Sequence, residues 1–313
     1  MNTAFIFPGQ GSQYVGMGRD LYETHPEARA LFDEADRILG FSLSELCFEG
    51  PEGELGDTVN TQPALLTVSV ALLRMLDLEQ LNPATVAGHS MGEYTALVAA
   101  EALDFADGLK LVQERGRVMK EAGELNPGAM AAIIGLDAGM LEGICQEARH
   151  QFPASSIQIA NYNSPGQIVI SGHKEALGQA MELAGERGAK RVIPLAVSIA
   201  SHSPLMQPAA DSFTSIVAQV DFHRPRVPVV ANVTAAPITT VAEIRQELVE
   251  QLTSTVRWVE SVQYMIAQGV TTFVEIGPKN VLTGLIRRID KSVRTVNVEN
   301  VAGMQAFLEG EWT

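Results

Sequence analysis

Positive charge is in short supply in this chain. Its 22 Lys and Arg stand against 37 Asp and Glu, a formal net charge of -15 at pH 7. That balance excludes nucleic acid as a partner, because phosphates require a basic face. An acidic protein partner would have to dock on a local basic patch. Cysteine is nearly absent. Cys47 and Cys145 lie far apart, fit no metal-ligand spacing and read as two small buried apolar side chains, so no metal site is expected. A reducing cytoplasm is the expected location. No apolar run reaches the length of a membrane span, so no membrane association is expected. The first residues enter the strand-like Thr3-Ala4-Phe5-Ile6-Phe7 without a basic head or a cleavage site, so no secretion signal is expected. Repeats and low-complexity segments are missing as well. What is present is an ordinary globular composition. The chain has 313 residues, 46% hydrophobic and 19% charged, enough for one large domain or two modest ones.

Residues 3–7 read as a buried strand running into Phe7-Pro8-Gly9-Gln10-Gly11-Ser12-Gln13, whose glycines suggest closely packed backbone. A phosphate loop is excluded there, since the third glycine and a Gly-Lys-Ser/Thr are both missing. Helical patterns cover about 26–39 and 62–77, and Thr61-Gln62-Pro63 puts a proline where a first turn tolerates it. A strand at 84–87 precedes a helix carrying Tyr94, Leu97 and Val98, and Asp104-Phe105-Ala106-Asp107 starts another helix through about 122. Asn126-Pro127-Gly128 marks a break. Beyond it come a strand at 130–136, a helix at about 138–149, a strand at 157–161, a turn at 162–166, a strand at 167–171, a helix at about 174–187 and a strand at 191–197. That β-α-β-β-α-β order is the split, ferredoxin-like unit. Residues 126–197 are therefore expected to form a small domain inserted into a larger one made of 1–125 and 198–313. A strand at 227–232, helices at 241–252 and 257–268, a strand at 271–275 and a helix from about 279 return to an α/β pattern.

Between strand and helix lies Val86-Ala87-Gly88-His89-Ser90-Met91-Gly92-Glu93-Tyr94. Gly-x-Ser-x-Gly is the nucleophile-elbow pattern, in which a turn too sharp for flanking side chains exposes a serine at a helix N-terminus. Free N–H groups and the helix dipole there favour an oxyanion. The plainer alternative is a glycine-rich loop with an incidental serine. A serine nucleophile needs a base, and six histidines are available. His25 and His150 read as solvated, His173 and His223 lie in polar surroundings, and His89 fits a packing role beside the turn. His202, crowded by small residues in Ser198-Ile199-Ala200-Ser201-His202-Ser203, is the candidate base. Asp104, Asp107 and Asp137 look like helix starts, so no acidic third member emerges. A backbone carbonyl can orient a histidine instead, which leaves a Ser-His dyad.

At 100° per residue, the helix at 109–120 sets Lys110, Gln113, Glu114, Arg117 and Lys120 on one arc and Leu111, Val112, Val118 and Met119 on the other. Arg115 falls in the middle of the apolar arc. A buried guanidinium needs an anionic partner. Two partners are open: a protein carboxylate in a structural salt bridge, or a substrate carboxylate held in a bidentate clamp.

With these residues in hand, the chain resembles the malonyl-CoA:acyl-carrier-protein transacylases of fatty-acid and polyketide synthesis over essentially its whole length. The motifs are residues 7–13, Thr61-Gln62-Pro63-Ala64, residues 88–94, Arg115-Gly116-Arg117-Val118-Met119, Asn163-Ser164-Pro165-Gly166-Gln167, Ser201-His202 and Glu275-Ile276-Gly277-Pro278. The resemblance implies a large α/β-hydrolase-like domain with a small ferredoxin-like insertion. It implies Ser90 as acyl-carrying nucleophile, His202 as base, the backbone N–H groups of Gln10 and Met91 as oxyanion hole, and Arg115 on the malonyl carboxylate. It further implies Gln251 as the residue whose carbonyl orients the histidine, with Gln62, Asn161 and Ser201 near the pocket. Met91 stands where leucine is common, a conservative change for a backbone donor.

The implied reaction passes malonyl from malonyl-CoA through a seryl ester to the phosphopantetheine thiol of acyl carrier protein, by ping-pong kinetics and with no permanently bound cofactor. A cytoplasmic monomer is expected, with a transient, electrostatic contact to a typically acidic carrier. Lys190-Arg191 and Arg287-Arg288 with Lys291 are the basic clusters available. In related polyketide enzymes Ala-Ser-His accompanies methylmalonyl, and Ala200-Ser201-His202 stands here, so methylmalonyl-CoA is one alternative substrate. A serine thioesterase or esterase and a non-catalytic carrier-binding subunit are the others.

Overall fold

A strand buried on both faces needs no polar alternation, and Thr3-Ala4-Phe5-Ile6-Phe7 has almost none. The computed structural model describes residues 2–76, 81–197 and 199–310. Its strands are β1 (Thr3–Phe7), β2 (Thr85–Gly88), β3 (Ala129–Ile134), β4 (Ile157–Ser164), β5 (Gln167–Gly172), β6 (Arg191–Pro194), β7 (Val229–Val230), β8 (Pro237–Ile238), β9 (Thr272–Ile276) and β10 (Arg294–Val298). The first sheet runs β10-β9-β1-β2-β7-β8, parallel except for β8. Phe5 and Phe7 turn to one face, packing in the core that holds Leu65, Tyr94, Leu97 and Val112. Ala4 and Ile6 turn to the other, against Trp258, Val262 and Phe273. The architecture is mixed α/β with two sheets.

The second sheet is antiparallel, in the order β4-β5-β3-β6. Here the strands do alternate. Ala131, Ile133, Ile168 and Ile170 pack with Leu141, Ile144, Leu177 and Ala180 of helices Ala138–Gln151 and Lys174–Glu186. Met130, Ala160 and Val169 face the other way, with Leu195 and Val197 against them. Backbone bonds join this sheet to the rest of the protein. Val256 N–H donates to the Ala160 carbonyl at 2.8 Å, and Tyr162 N–H donates to the Val256 carbonyl at 2.9 Å.

Several boundaries differ from expectation. The helix expected at 62–77 begins at Thr58, where the Asp57 carboxylate caps the Val59 N–H at 3.1 Å, so Pro63 sits inside the helix and not in its first turn. Residue 77 at its expected end, and Ser198 at the expected domain boundary, lie outside the described residues. The turn expected at 162–166 shrinks to Pro165-Gly166 because β4 continues to Ser164 through two register shifts, one between Ile159 and Asn161 and one between Tyr162 and Ser164. The strand expected at 191–197 ends at Pro194. That expected at 227–232 shortens to Val229–Val230 and turns back in the unanticipated β8. Strand β10 and helices Arg19–Thr24, Leu43–Glu49, Gln207–Ala218 and Val301–Leu308 also went unread. Cys47 and Cys145 are free and buried, and burial pushes both thiols up to about 12. Among the described residues no helix is long and apolar enough to cross a membrane.

Candidate active site

The turn after β2 is as tight as its glycines require. A Cβ on Gly88 would lie 1.9 Å from the Gly92 carbonyl, and one on Gly92 would lie 2.1 Å from the Phe7 carbonyl oxygen. Ser90 at the apex has φ 51°, a left-handed conformation that costs energy for a non-glycine residue and is held from outside. Its N–H donates to Asn232 Oδ1 at 2.7 Å, while Asn232 Nδ2 donates to the Gly88 carbonyl at 2.7 Å. The Ser90 carbonyl accepts from Gln251 Nε2 at 3.1 Å. Helix Gly92–Ala99 begins immediately after the turn. Among the described residues, neither the Met91 N–H nor the Gln10 N–H donates to another protein group.

His202 comes from the far side of the chain, also left-handed at φ 58°. Its Nε2 lies 2.9 Å from Ser90 Oγ, and its Nδ1 lies 2.8 Å from the Gln251 carbonyl. A carbonyl only accepts, so Nδ1 carries the hydrogen and Nε2 is free to accept from the serine hydroxyl. Burial, reinforced by the nearby Arg115 charge and opposed by the Gln251 carbonyl, lowers the His202 pKa to about 3 from its ordinary 6.5. The imidazole is therefore neutral at pH 7.

Arg115 is 2% exposed. Its Nη1 donates to Gln62 Oε1 at 2.8 Å, and its Nη2 donates to Gln251 Oε1 at 2.9 Å and to Ser90 Oγ at 3.1 Å. The guanidinium also stands 5.5 Å from the Tyr94 ring centroid. Its Nε has no hydrogen-bond partner among the described residues. No carboxylate lies within 4.0 Å of it among the described residues, so the structural salt bridge left open by the sequence is not made. Arg117, two residues on, pairs at the surface with Glu114 and Glu121.

These groups meet at a cavity of about 250 Å³ between the two sheets. Gln10, Ser90, Met91, Arg115, Ser201 and His202 line one side, and Met130, Ala132, Asn161 and Val169 the other. Asn161 reaches it through a bulge. Ile157 and Ile159 point into the small sheet's own core, and regular alternation would send Asn161 after them. The register shift at Ala160 instead sets Asn161 opposite Val169, on the cavity face. Gln62 stands behind Arg115 and not on the wall. His89 points away from Ser90, donating to Asn163 Oδ1 at 2.8 Å and meeting Trp258 edge-on. His25, His150, His173 and His223 are not on the cavity wall. Among the described residues, no group of three or more His, Cys, Asp or Glu could hold a metal ion.

Three participants were missed. Asn232 follows β7 at the carboxyl end of a sheet strand, where sites of open α/β sheets gather. Glu93 is a fully buried acid in an otherwise apolar helix, a signal the pattern did contain. Glu247 is buried beside it, on helix Val241–Glu250.

The family model described as an acyl transferase domain matches residues 4–309. The chain is 49% identical over 297 residues to the malonyl CoA-acyl carrier protein transacylase of Bacillus subtilis (strain 168), covering 95% of this chain and 93% of that one. It is 48% identical over 307 residues to the protein of the same name from Escherichia coli (strain K12), covering 98% of each. Among solved structures, it superposes with TM-score 0.93 and 44% identity on an acyl carrier protein S-malonyltransferase from Vibrio cholerae, covering 98% of this chain and 100% of that one. It also superposes with TM-score 0.94 and 42% identity on a malonyl-transacylase solved in complex with its type II PKS acyl-carrier protein, covering 99% of this chain and 100% of that one.

Proposed function

The chain belongs to the acyl transferase domain family, and from that premise we propose that it passes malonyl from malonyl-CoA to acyl carrier protein by a Ser90–His202 ping-pong mechanism. One observation carries the choice of acyl group: a buried arginine with no carboxylate within 4.0 Å among the described residues, hydrogen-bonded to the serine hydroxyl itself. A simple ester or thioester hydrolase has no use for it.

His202 Nε2 takes the Ser90 proton as Oγ attacks the thioester carbonyl. The oxyanion lies between the N–H groups of Gln10 and Met91, each donor contributing about 3–4 kcal/mol to the transition state. Arg115 leaves Ser90 Oγ for the malonyl carboxylate, a charge-assisted fork-on-fork contact. The CoA thiolate departs with the proton from His202, leaving malonyl-Ser90. The phosphopantetheine thiol of the carrier then enters, gives its proton to His202 and attacks the ester, and the same steps run in reverse. Gln251 orients the base throughout through its carbonyl.

The small sheet's order, β4-β5-β3-β6 with both helices on one face, supports its assignment as a ferredoxin-like domain at 126–197 within an α/β-hydrolase-like domain at 1–125 and 198–313. The cavity is lined throughout by residues of one chain, which supports a monomer as the working unit. Met91, Met119 and Met130 crowd the cavity and favour malonyl over its methylated homologue. Ser201 on the same wall keeps methylmalonyl as the second reading, and a competition of the two CoA esters for one carrier decides it. Intact mass after mixing with malonyl-CoA tests the main reading. A persistent malonyl adduct, lost in Ser90→Ala, supports transfer. Rapid release of free malonate without an adduct points to hydrolysis.

A further inference from the structure

Arg115 is surrounded by amide oxygens whose orientation is set one layer further back. Guanidinium nitrogens only donate, so Gln251 must turn Oε1 toward Arg115, and it does, at 2.9 Å. Its Nε2 then faces two acceptors, the Ser90 carbonyl at 3.1 Å and Glu93 Oε2. Glu93 is completely buried, and its other oxygen accepts from the Asn232 N–H at 3.2 Å. Both Glu93 oxygens thus face N–H donors. Beside Glu93 lies the buried carboxyl of Glu247, whose charge acts on it and which accepts from the Val233 N–H at 2.8 Å.

We propose that Glu93 is a positioning residue for the Arg115 clamp: ionised, with the pair's proton on Glu247, it locks the Gln251 amide so that the guanidinium stays charged yet uncommitted. This rests on the assignment of Arg115 to the malonyl carboxylate. Two carboxyl groups in contact away from water cannot both ionise, and one proton is shared between them. Burial pushes both upward, Glu93 well above the usual carboxylate range with the Glu247 charge adding to it, and Glu247 to about 7, so the hydrogen bonds decide where the proton sits. Both Glu93 oxygens accept from N–H groups, against one oxygen of Glu247, and on that ground the proton is assigned to Glu247. The charged groups around the pair are Arg115 across the Gln251 amide and Glu250 on the helix that carries Glu247. A glutamate bonded directly to Arg115 would compete with the substrate carboxylate. One placed behind an amide balances the charge without occupying the fork.

The arrangement makes the two acids unequal toward glutamine. In Glu93→Gln one oxygen remains for two donors. Its amide nitrogen opposes that of Gln251, which turns over and presents NH2 to the guanidinium. In Glu247→Gln a neutral amide stands beside Glu93 and accepts from Val233, as the protonated acid does. The experiment is steady-state transfer from malonyl-CoA and acetyl-CoA by the full chain, read as the ratio of the two KM values, with Arg115→Ala alongside. Glu93→Gln is expected to raise the malonyl-to-acetyl KM ratio about tenfold, and Glu247→Gln to leave it within about twofold. A folded Glu93→Gln with an unchanged ratio overturns the proposal. So does a Glu247→Gln that matches or exceeds Glu93→Gln, since the proton would then sit on the other acid. If Glu93→Gln does not fold, Gln251→Met breaks the same link and must raise the ratio, and an unchanged ratio again overturns the proposal. An Arg115→Ala that leaves malonyl preference intact removes the clamp itself, a different failure from loss of the lock alone.

Discussion

Ser90 and His202 both hold left-handed backbone conformations, and each is fixed by bonds to other segments: Ser90 by Asn232 and Gln251, His202 by Leu252 and Gln158. Strain held this way keeps the proposed nucleophile and base in register before substrate arrives. The depressed pKa of His202 has a directional consequence. The proposed mechanism needs the neutral ring, so the acid limb of the kcat/KM profile should fall well below pH 6.5, toward the folded-state value of about 3. Stability follows the same sign. The unfolded chain takes up this proton below about 6.5 while the folded chain refuses it until about 3, so this contribution to stability is lost as pH falls across that window. Arg115→Ala removes the second cause of the depression and should move the acid limb upward, read from pH–rate profiles with acetyl-CoA. The same variant should cost malonyl transfer about 2–5 kcal/mol, the scale for truncating one member of a buried charged pair, while sparing acetyl transfer. Equal losses for the two acyl groups would mean that Arg115 only supports the fold.

At the scale of elements, the elbow depends on backbone contact. Gly88→Ala would put a methyl 1.9 Å from the Gly92 carbonyl, and it should cost more than about 4 kcal/mol or abolish folding, measured by denaturant unfolding. Asn232→Ala removes two bonds that hold the turn, and should lower stability by about 1–3 kcal/mol and reduce kcat with it. A stable, fully active Asn232→Ala would mean that the turn holds its shape unaided. The elbow was legible in the sequence because collisions with backbone leave only glycine, a local constraint. Arg115 was legible because helical periodicity alone assigns it to the buried arc. The support was not legible. Asn232 reaches Ser90 across 142 positions, and Gln251 reaches Glu93 across 158. The bulge that delivers Asn161 is invisible in Ile157-Gln158-Ile159-Ala160-Asn161, whose plain alternation predicts the opposite face. The β7–β8 hairpin, two residues to a strand, carries too few residues for a pattern of its own.

For the whole molecule, the acidic balance sets the terms on which an acidic carrier can approach. Of the two basic clusters, Arg288 is the one tied to the cavity, since its Nη1 donates at 2.6 Å to Gln167, a lining residue. Lys190 and Arg191 are exposed at the β6 edge of the small sheet. Arg288→Glu should therefore raise the carrier KM roughly three- to tenfold at low salt, with the effect fading as salt screens it, and Lys190→Glu should do less. Equal effects at both sites would place the carrier across the small sheet instead.

The bonds from β4 to Val256 have one more result. Gln158, on the same strand, donates to the His202 carbonyl at 2.7 Å, so the seam where the two walls meet also holds the base. The walls cannot part along that line without pulling the imidazole off the serine. That seam is the spine of the site: whatever else shifts as acyl group and carrier arm come and go, the base stays aligned with the serine along it.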